Sequence, residues 1–85
     1  MREAVIVSTA RTPIGKAYRG AFNNTDGPTL GGHAIKSAVA RCGLEPAEIE
    51  DVIWGCALTQ GSQAPNIARL AALSAGLPVT VGGMT

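Results

Sequence analysis

Three mainly apolar runs, each separated from the next by a stretch with helical periodicity, organise the chain. They cover residues 4–10, 52–58 and 79–85, and the first is almost continuously apolar and β-branched. Short apolar runs without alternation are typical of strands buried on both faces of a parallel sheet. The pattern therefore predicts three strands.

The stretch between the first two runs predicts an amphipathic helix over residues 29–42. Thr29 is a suitable N-cap, and Gly43 stands where a left-handed residue often ends a helix. Gly31 and Gly32 weaken such a helix, so we expect close backbone approach there to compensate. The positions that share its apolar face are Leu30, Ala34, Ile35, Ala38, Val39 and Cys42.

A second helix is predicted over residues 66–75, with Pro65 before it and Gly76 after it. It is apolar nearly all round, which is typical of a buried helix. Arg69 is its single charged residue, and we expect the guanidinium to form a buried ion pair or to bind backbone carbonyls.

The resulting order is βαβαβ, which predicts an α/β fold with a mostly parallel sheet and right-handed crossovers. Residues 16–28 are rich in turn formers and predict an ordered excursion over the strand ends. Three strands alone leave open edges and uncovered faces, so we expect residues 1–85 to be unstable or to associate when isolated.

Composition narrows the classes of protein further. The chain has 85 residues, 46% hydrophobic and 15% charged, with a net charge of +1. That size allows one small domain or a piece of a larger one. No basic stripe indicates nucleic acid, and no apolar run has the length of a membrane span. Two cysteines outside any C-x-x-C pair, and a start that runs directly into strand residues, predict a cytoplasmic protein.

No residue of the chain is predicted to be catalytic or to bind a metal. Cys56 lies in a predicted strand, with no helix N-terminus to stabilise a thiolate, so it is interpreted as a small core residue. Cys42 lies near the C-terminal end of a helix, where the dipole opposes a thiolate. His33 falls on a polar helix face and lacks partner ligands, so it is interpreted as solvated.

Four separated segments carry a resemblance to a known family. Residues 3–15, 52–57, 66–69 and 75–78 resemble, in order and spacing, the N-terminus of thiolases, including the bacterial acetyl-CoA C-acetyltransferases and 3-ketoacyl-CoA thiolases. The resemblance covers the whole chain and about a fifth of a full-length subunit. Residues 82–85 depart from family members that carry Pro before Gly-Met-Thr.

The resemblance implies that residues 1–85 are a partial N-terminal thiolase domain. In the family, two similar halves pack as a five-layered α-β-α-β-α core, of which this chain would supply the first βαβαβ part. The third strand leads to a nucleophilic cysteine beyond Thr85, and it also pairs with its twofold mate across the dimer. Residues 79–85 would then be interface.

The implied function belongs to the full-length parent, which would transfer acyl groups between acyl-CoA thioesters. Residues 1–85 would give scaffold and dimer interface, would bind no cofactor or metal, and would be inactive alone. The expected partners are acyl-CoA, the rest of the chain and further copies in a homodimer or homotetramer. The alternatives are a related ketoacyl synthase, which residues 11–15 disfavour, and a non-catalytic thiolase-like interaction module.

Four polar side chains and one glycine–lysine pair are candidates for contacts with a ligand. Arg11 and Arg69 suit CoA phosphates, but structural partners are favoured for both. Gln60 and Gln63 follow a strand, where open α/β sheets place ligands, yet simple solvation is favoured. The pair at residues 15–16 lacks the remainder of a phosphate-binding loop.

Overall fold

The computed structural model describes residues 1–85, in which two helices pack against a short parallel sheet. Helix α1 is followed by strand β1, helix α2 and strand β2, with one 3₁₀ turn on either side of β1. The bounds are α1 Gly27–Cys42, 3₁₀ turn Pro46–Glu48, β1 Asp51–Ile53, 3₁₀ turn Gly61–Gln63, α2 Ile67–Ser74 and β2 Gly82–Met84.

Helix α1 begins two residues before the predicted start, because Asp26 and not Thr29 is its N-cap. The Asp26 Oδ1 atom accepts a hydrogen bond from the Thr29 backbone N–H at 3.0 Å. The other end matches the prediction, since Gly43 has φ 72° and ends the helix in the left-handed region. Only glycine adopts that conformation without steric cost.

The N-cap residue Asp26 makes the stability of the fold depend on pH. Hydrogen bonds from the Thr29 hydroxyl and the Thr29 backbone N–H lower the pKa of Asp26. A carboxyl whose pKa is lower in the folded state stabilises the fold above its unfolded pKa of about 3.9. That stabilisation is lost as the pH falls through the folded-state pKa.

We therefore expect Asp26→Ala in the full-length protein to lower the melting temperature at neutral pH, with a gap from wild type that narrows below about pH 4. Thermal melts across this range measure the gap. Asp26→Asn is the control, because its amide oxygen still accepts the hydrogen bond and does not titrate. A gap for Asp26→Ala that is the same at neutral and acid pH would contradict this role.

Strands β1 and β2 pair in parallel, as predicted. Asp51 lies opposite Gly82, and Ile53 lies opposite Met84. The Trp54 N–H donates to the Met84 carbonyl at 2.9 Å, which extends the pairing past the end of β1. Both strands are shorter than the predicted runs, and the sheet has two strands.

The prediction of a first strand over residues 4–10 is wrong for this chain. These residues form no strand, and the side chains of Val5, Ile6 and Val7 are 73%, 87% and 68% exposed. The observed order is therefore αβαβ and not βαβαβ. A buried parallel strand requires cover on both faces, and the exposed side chains of Val5, Ile6 and Val7 lack that cover here.

The N-terminal run is nevertheless attached to α1 by side-chain hydrogen bonds. The Ser8 hydroxyl donates to the Ala38 carbonyl at 2.7 Å. Arg41 donates through Nη1 to the Thr9 carbonyl, also at 2.7 Å. These bonds hold the end of the run against α1 in the absence of backbone pairing.

The two helices approach closely at the glycines of α1, as the sequence predicts. A Cβ atom on Gly32 would lie 2.6 Å from the Ser74 Oγ atom and 2.9 Å from its Cβ atom. A Cβ atom on Gly31 would lie 3.0 Å from the Ala71 Cβ atom. The loss of helix propensity at these positions is therefore offset by helix–helix packing.

Helix α2 is the buried element, which confirms the interpretation of its apolar sequence. Four of its eight residues are buried, namely Ile67, Ala68, Ala71 and Ala72. The core continues from Ala72 to Leu77 and Val81, and half-buried side chains of α1, of β1 and of the segment just before β1 surround it. Those surrounding residues include Ile35, Val39, Ile49 and Val52.

Candidate functional site

The candidate site is the edge of the sheet where both strands end. Because β1 and β2 are parallel, the segment that follows Ile53 and the residue that follows Met84 leave the sheet at the same edge. Asn66, the N-cap of α2, makes hydrogen bonds with Gly83 and Thr85 at that edge. Open α/β sheets place their ligands at the carboxyl ends of parallel strands.

Two side chains join α2 to the end of β2, and we call their hydrogen bonds the strand-end network. The Thr85 hydroxyl donates to Asn66 Oδ1 at 2.6 Å and accepts from the Ala68 N–H at 3.1 Å. Asn66 donates through Nδ2 to the Gly83 carbonyl at 3.0 Å. Asn66 Oδ1 also accepts from the Arg69 N–H at 3.3 Å. The network links the first turn of α2 to the last residues of the chain.

Arg69 binds backbone carbonyls, which was one of the two predicted roles. Its guanidinium donates to the Val81 carbonyl at 2.6 Å and to the Val79 carbonyl at 3.3 Å. Both acceptors lie in the segment that leads into β2. Both terminal nitrogens of the guanidinium thus donate to the backbone of this segment.

The loop after β1 contains Cys56 and both glutamines. Cys56 is half-buried and lies beyond the end of β1, so its predicted place inside a strand is wrong. Its Sγ atom donates to the Leu58 carbonyl at 3.1 Å. Gln63 donates to the same carbonyl at 3.0 Å, while Gln60 is exposed.

Cys42 and His33 lie away from this edge on α1. Cys42 is the last residue of the helix, and its Sγ atom donates to the Val39 carbonyl at 3.2 Å. His33 is exposed. The structure contains no group of three or more His, Cys, Asp or Glu side chains arranged to hold a metal ion. None of its helices combines the length and apolar character needed to cross a membrane.

Arg11 lies beside two open cavities near the N-terminal run. One cavity of about 280 Å³ lies between this run, α1 and Trp54, and a second of about 410 Å³ has Arg11 and Arg41 on its wall. Gly15 packs against Phe22, so closely that a Cβ atom would lie 2.8 Å from the ring. This close packing explains why residue 15 is a glycine, and no phosphate-binding role is needed to explain it.

The chain is similar in sequence to proteins of one known family. Residues 4–85 match the family model described as the thiolase N-terminal domain. The chain is 46% identical to the 3-ketoacyl-CoA thiolases of Colwellia psychrerythraea and Aeromonas hydrophila and 44% identical to that of Vibrio vulnificus. The alignments cover 100% of this chain and 22% of each relative.

This chain belongs to the thiolase family. It spans about a fifth of the length of the curated relatives it matches, 22% in each case. Those relatives are named 3-ketoacyl-CoA thiolases, and a thiolase is an acyltransferase.

The residues that sequence reasoning missed are Asn66 and Thr85. The sequence pattern predicts Asn66 as the first residue of the second helix, whereas it is the N-cap of α2, which begins at Ile67. The sequence does contain a signal for this N-cap role, because Asn is a preferred N-cap residue. No local signal indicates the bond to Thr85, which lies 19 residues further along the chain.

Proposed function

We propose that residues 1–85 are the N-terminal part of a thiolase that transfers acyl groups between acyl-CoA thioesters. The observation that carries this proposal is the match of residues 4–85 to the thiolase N-terminal domain. Similarity to 3-ketoacyl-CoA thiolases over the whole chain supports a 3-ketoacyl-CoA, including acetoacetyl-CoA, as the substrate.

In the thiolysis direction, a cysteine thiolate of the parent enzyme would attack the 3-keto carbonyl carbon. The bond between the substrate's C2 and C3 atoms then breaks, and protonation of the departing carbon releases acetyl-CoA. The acyl group remains on the cysteine as a thioester. The thiol of a second coenzyme A takes the acyl group and regenerates the cysteine. Synthesis is the reverse of these steps.

Within this scheme, residues 1–85 provide scaffold, and the catalytic residues lie outside them. The contacts of the two cysteines support this division, because Cys42 and Cys56 each donate to a backbone carbonyl. Neither thiol has a hydrogen bond from a histidine or from a helix N-terminus. Such partners are what activate a nucleophilic cysteine.

The exposed surfaces support a larger assembly, with a five-layered core in the complete subunit. Val5, Ile6 and Val7 need cover that residues 1–85 do not supply. Strand β2 pairs on one edge only. Val79, which precedes the strand, is 76% exposed, and Met84, its last residue, is 55% exposed. Pairing of the free edge with a second subunit would make β2 part of a dimer interface. We propose that the protein is a cytoplasmic homo-oligomer that acts in fatty acid metabolism.

The direct test is a thiolysis assay of the full-length protein. We expect consumption of acetoacetyl-CoA that depends on added coenzyme A and yields two acetyl-CoA for each acetoacetyl-CoA cleaved. Residues 1–85 expressed alone are the matched control and should show no turnover. Absence of turnover by the full-length protein with both short-chain and long-chain 3-ketoacyl-CoA would overturn the proposal.

A further inference from the structure

Helix α2 binds the segment 79–85 before, within and after strand β2. Upstream of the strand, the Arg69 guanidinium binds the Val79 and Val81 carbonyls. Within and after the strand, the strand-end network binds Gly83 and Thr85. The backbone of β2 is therefore tied to one helix before, within and after the strand.

Close packing adds to these bonds. A Cβ atom on Gly83 would lie 2.8 Å from the Arg69 backbone nitrogen and 2.9 Å from its Cα atom. The strand thus rests directly on the first turn of α2, with no side chain between them. Because both surfaces are backbone, the strand cannot move toward the helix.

In the strand-end network, each hydrogen bond determines which group donates and which accepts in the next one. Asn66 Oδ1 accepts from the Arg69 N–H, so the amide must present Nδ2 to the Gly83 carbonyl. The Thr85 hydroxyl gives its only proton to Asn66 Oδ1 and can therefore accept from the Ala68 N–H. One arrangement satisfies all four bonds, and it specifies the position of Thr85.

We propose that Asn66 and Thr85 are positioning residues for the reaction of the full-length enzyme. They hold the carboxyl end of β2 against the N-terminus of α2, and so they set where the chain after Thr85 leaves the sheet. That edge is where open α/β sheets place ligands. This inference rests on the proposed thiolase function, and it adds a role that scaffold and interface alone do not require.

The test compares Thr85→Val with Thr85→Ser in the full-length protein. Valine matches threonine in shape but makes neither hydrogen bond, whereas serine keeps both. We expect Thr85→Val to lower kcat by about 10- to 100-fold with little change in KM, because small displacements of reacting groups have effects of this size. Thr85→Ser should stay within about threefold of wild type.

Two further variants complete the design. Asn66→Asp keeps the acceptor atoms but cannot donate to the Gly83 carbonyl, so it should lower kcat as Thr85→Val does. Ser8→Ala removes a hydrogen bond of 2.7 Å from Ser8 to the Ala38 carbonyl, which is not part of the strand-end network, and should leave kcat unchanged. Amide hydrogen exchange gives a second readout, since Thr85→Val should speed exchange at Ala68.

The outcomes separate the inference from the proposed function. An active wild type with unchanged kcat in Thr85→Val overturns the positioning role and leaves the thiolase function intact. An equal loss of kcat in Thr85→Val and Thr85→Ser also overturns it, since the hydroxyl would not matter. An inactive wild type overturns both. Loss in Thr85→Val with rescue by Thr85→Ser supports both.

Discussion

Gly83→Ala is expected to destabilise the full-length protein by about 1–3 kcal/mol, the usual effect of overpacking a filled site. The added methyl group would lie 2.8 Å from the Arg69 nitrogen and 2.9 Å from the Arg69 Cα atom. Both are backbone atoms of α2, so no side-chain rotation relieves the contact. Relief requires β2 to move away from α2, which stretches the bond from Asn66 to the Gly83 carbonyl.

Thermal melts and soluble yield of parallel preparations measure this effect. Gly55→Ala is the matched control, because nothing lies within 4 Å of a Cβ atom at that position. An alanine there should leave the melting temperature unchanged or slightly higher, since it restricts the unfolded chain. Equal melting temperatures for Gly83→Ala and Gly55→Ala would show that β2 does not rest on the backbone of α2.

Arg69→Met is expected to cost about 1.5–3 kcal/mol, the range for hydrogen bonds made by charged groups. Methionine retains much of the apolar stem but leaves the Val79 and Val81 carbonyls without their side-chain donor. Val81 itself is 1% exposed and belongs to the core. Loss of these bonds should loosen the segment leading into β2.

Arg69→Lys should give an intermediate loss, because an ammonium group lacks the planar fork that reaches two acceptors. Arg41→Met is the control. Arg41 is exposed and makes one bond to the Thr9 carbonyl, so its removal should change stability by less than about 0.5 kcal/mol. Thermal unfolding of the four proteins ranks these effects. If Arg69→Met lowers the stability no more than Arg41→Met does, the guanidinium does not have this role.

The local features of the fold were predictable from the sequence. The left-handed end of α1 at Gly43, the buried character of α2 and the close helix approach at Gly32 each follow from neighbouring residues. Arg69 was also interpretable, because one charge on an apolar helix must find polar partners inside the protein. The parallel pairing of β1 and β2 followed from the alternation of strands and helices.

The N-terminal run shows where such prediction fails. Its apolar, β-branched residues favour a strand, but residues 4–10 remain unpaired and Val5, Ile6 and Val7 remain exposed. Strand propensity describes how side chains fit a covered sheet surface. Without cover on both faces, the pattern alone does not produce a strand.

For this protein, the sequence by itself determined the family, the two helices and the parallel pair of strands, and it limited the partners of Arg69 to a charged group or backbone carbonyls. The tertiary structure alone decided that carbonyls are those partners and that Asn66 and Thr85 join α2 to β2. Helix ends and apolar faces depend on residues a few positions apart, so a sequence pattern records them. The bond from Thr85 to Asn66 spans 19 residues and exists only because the parallel sheet and α2 bring the two side chains together.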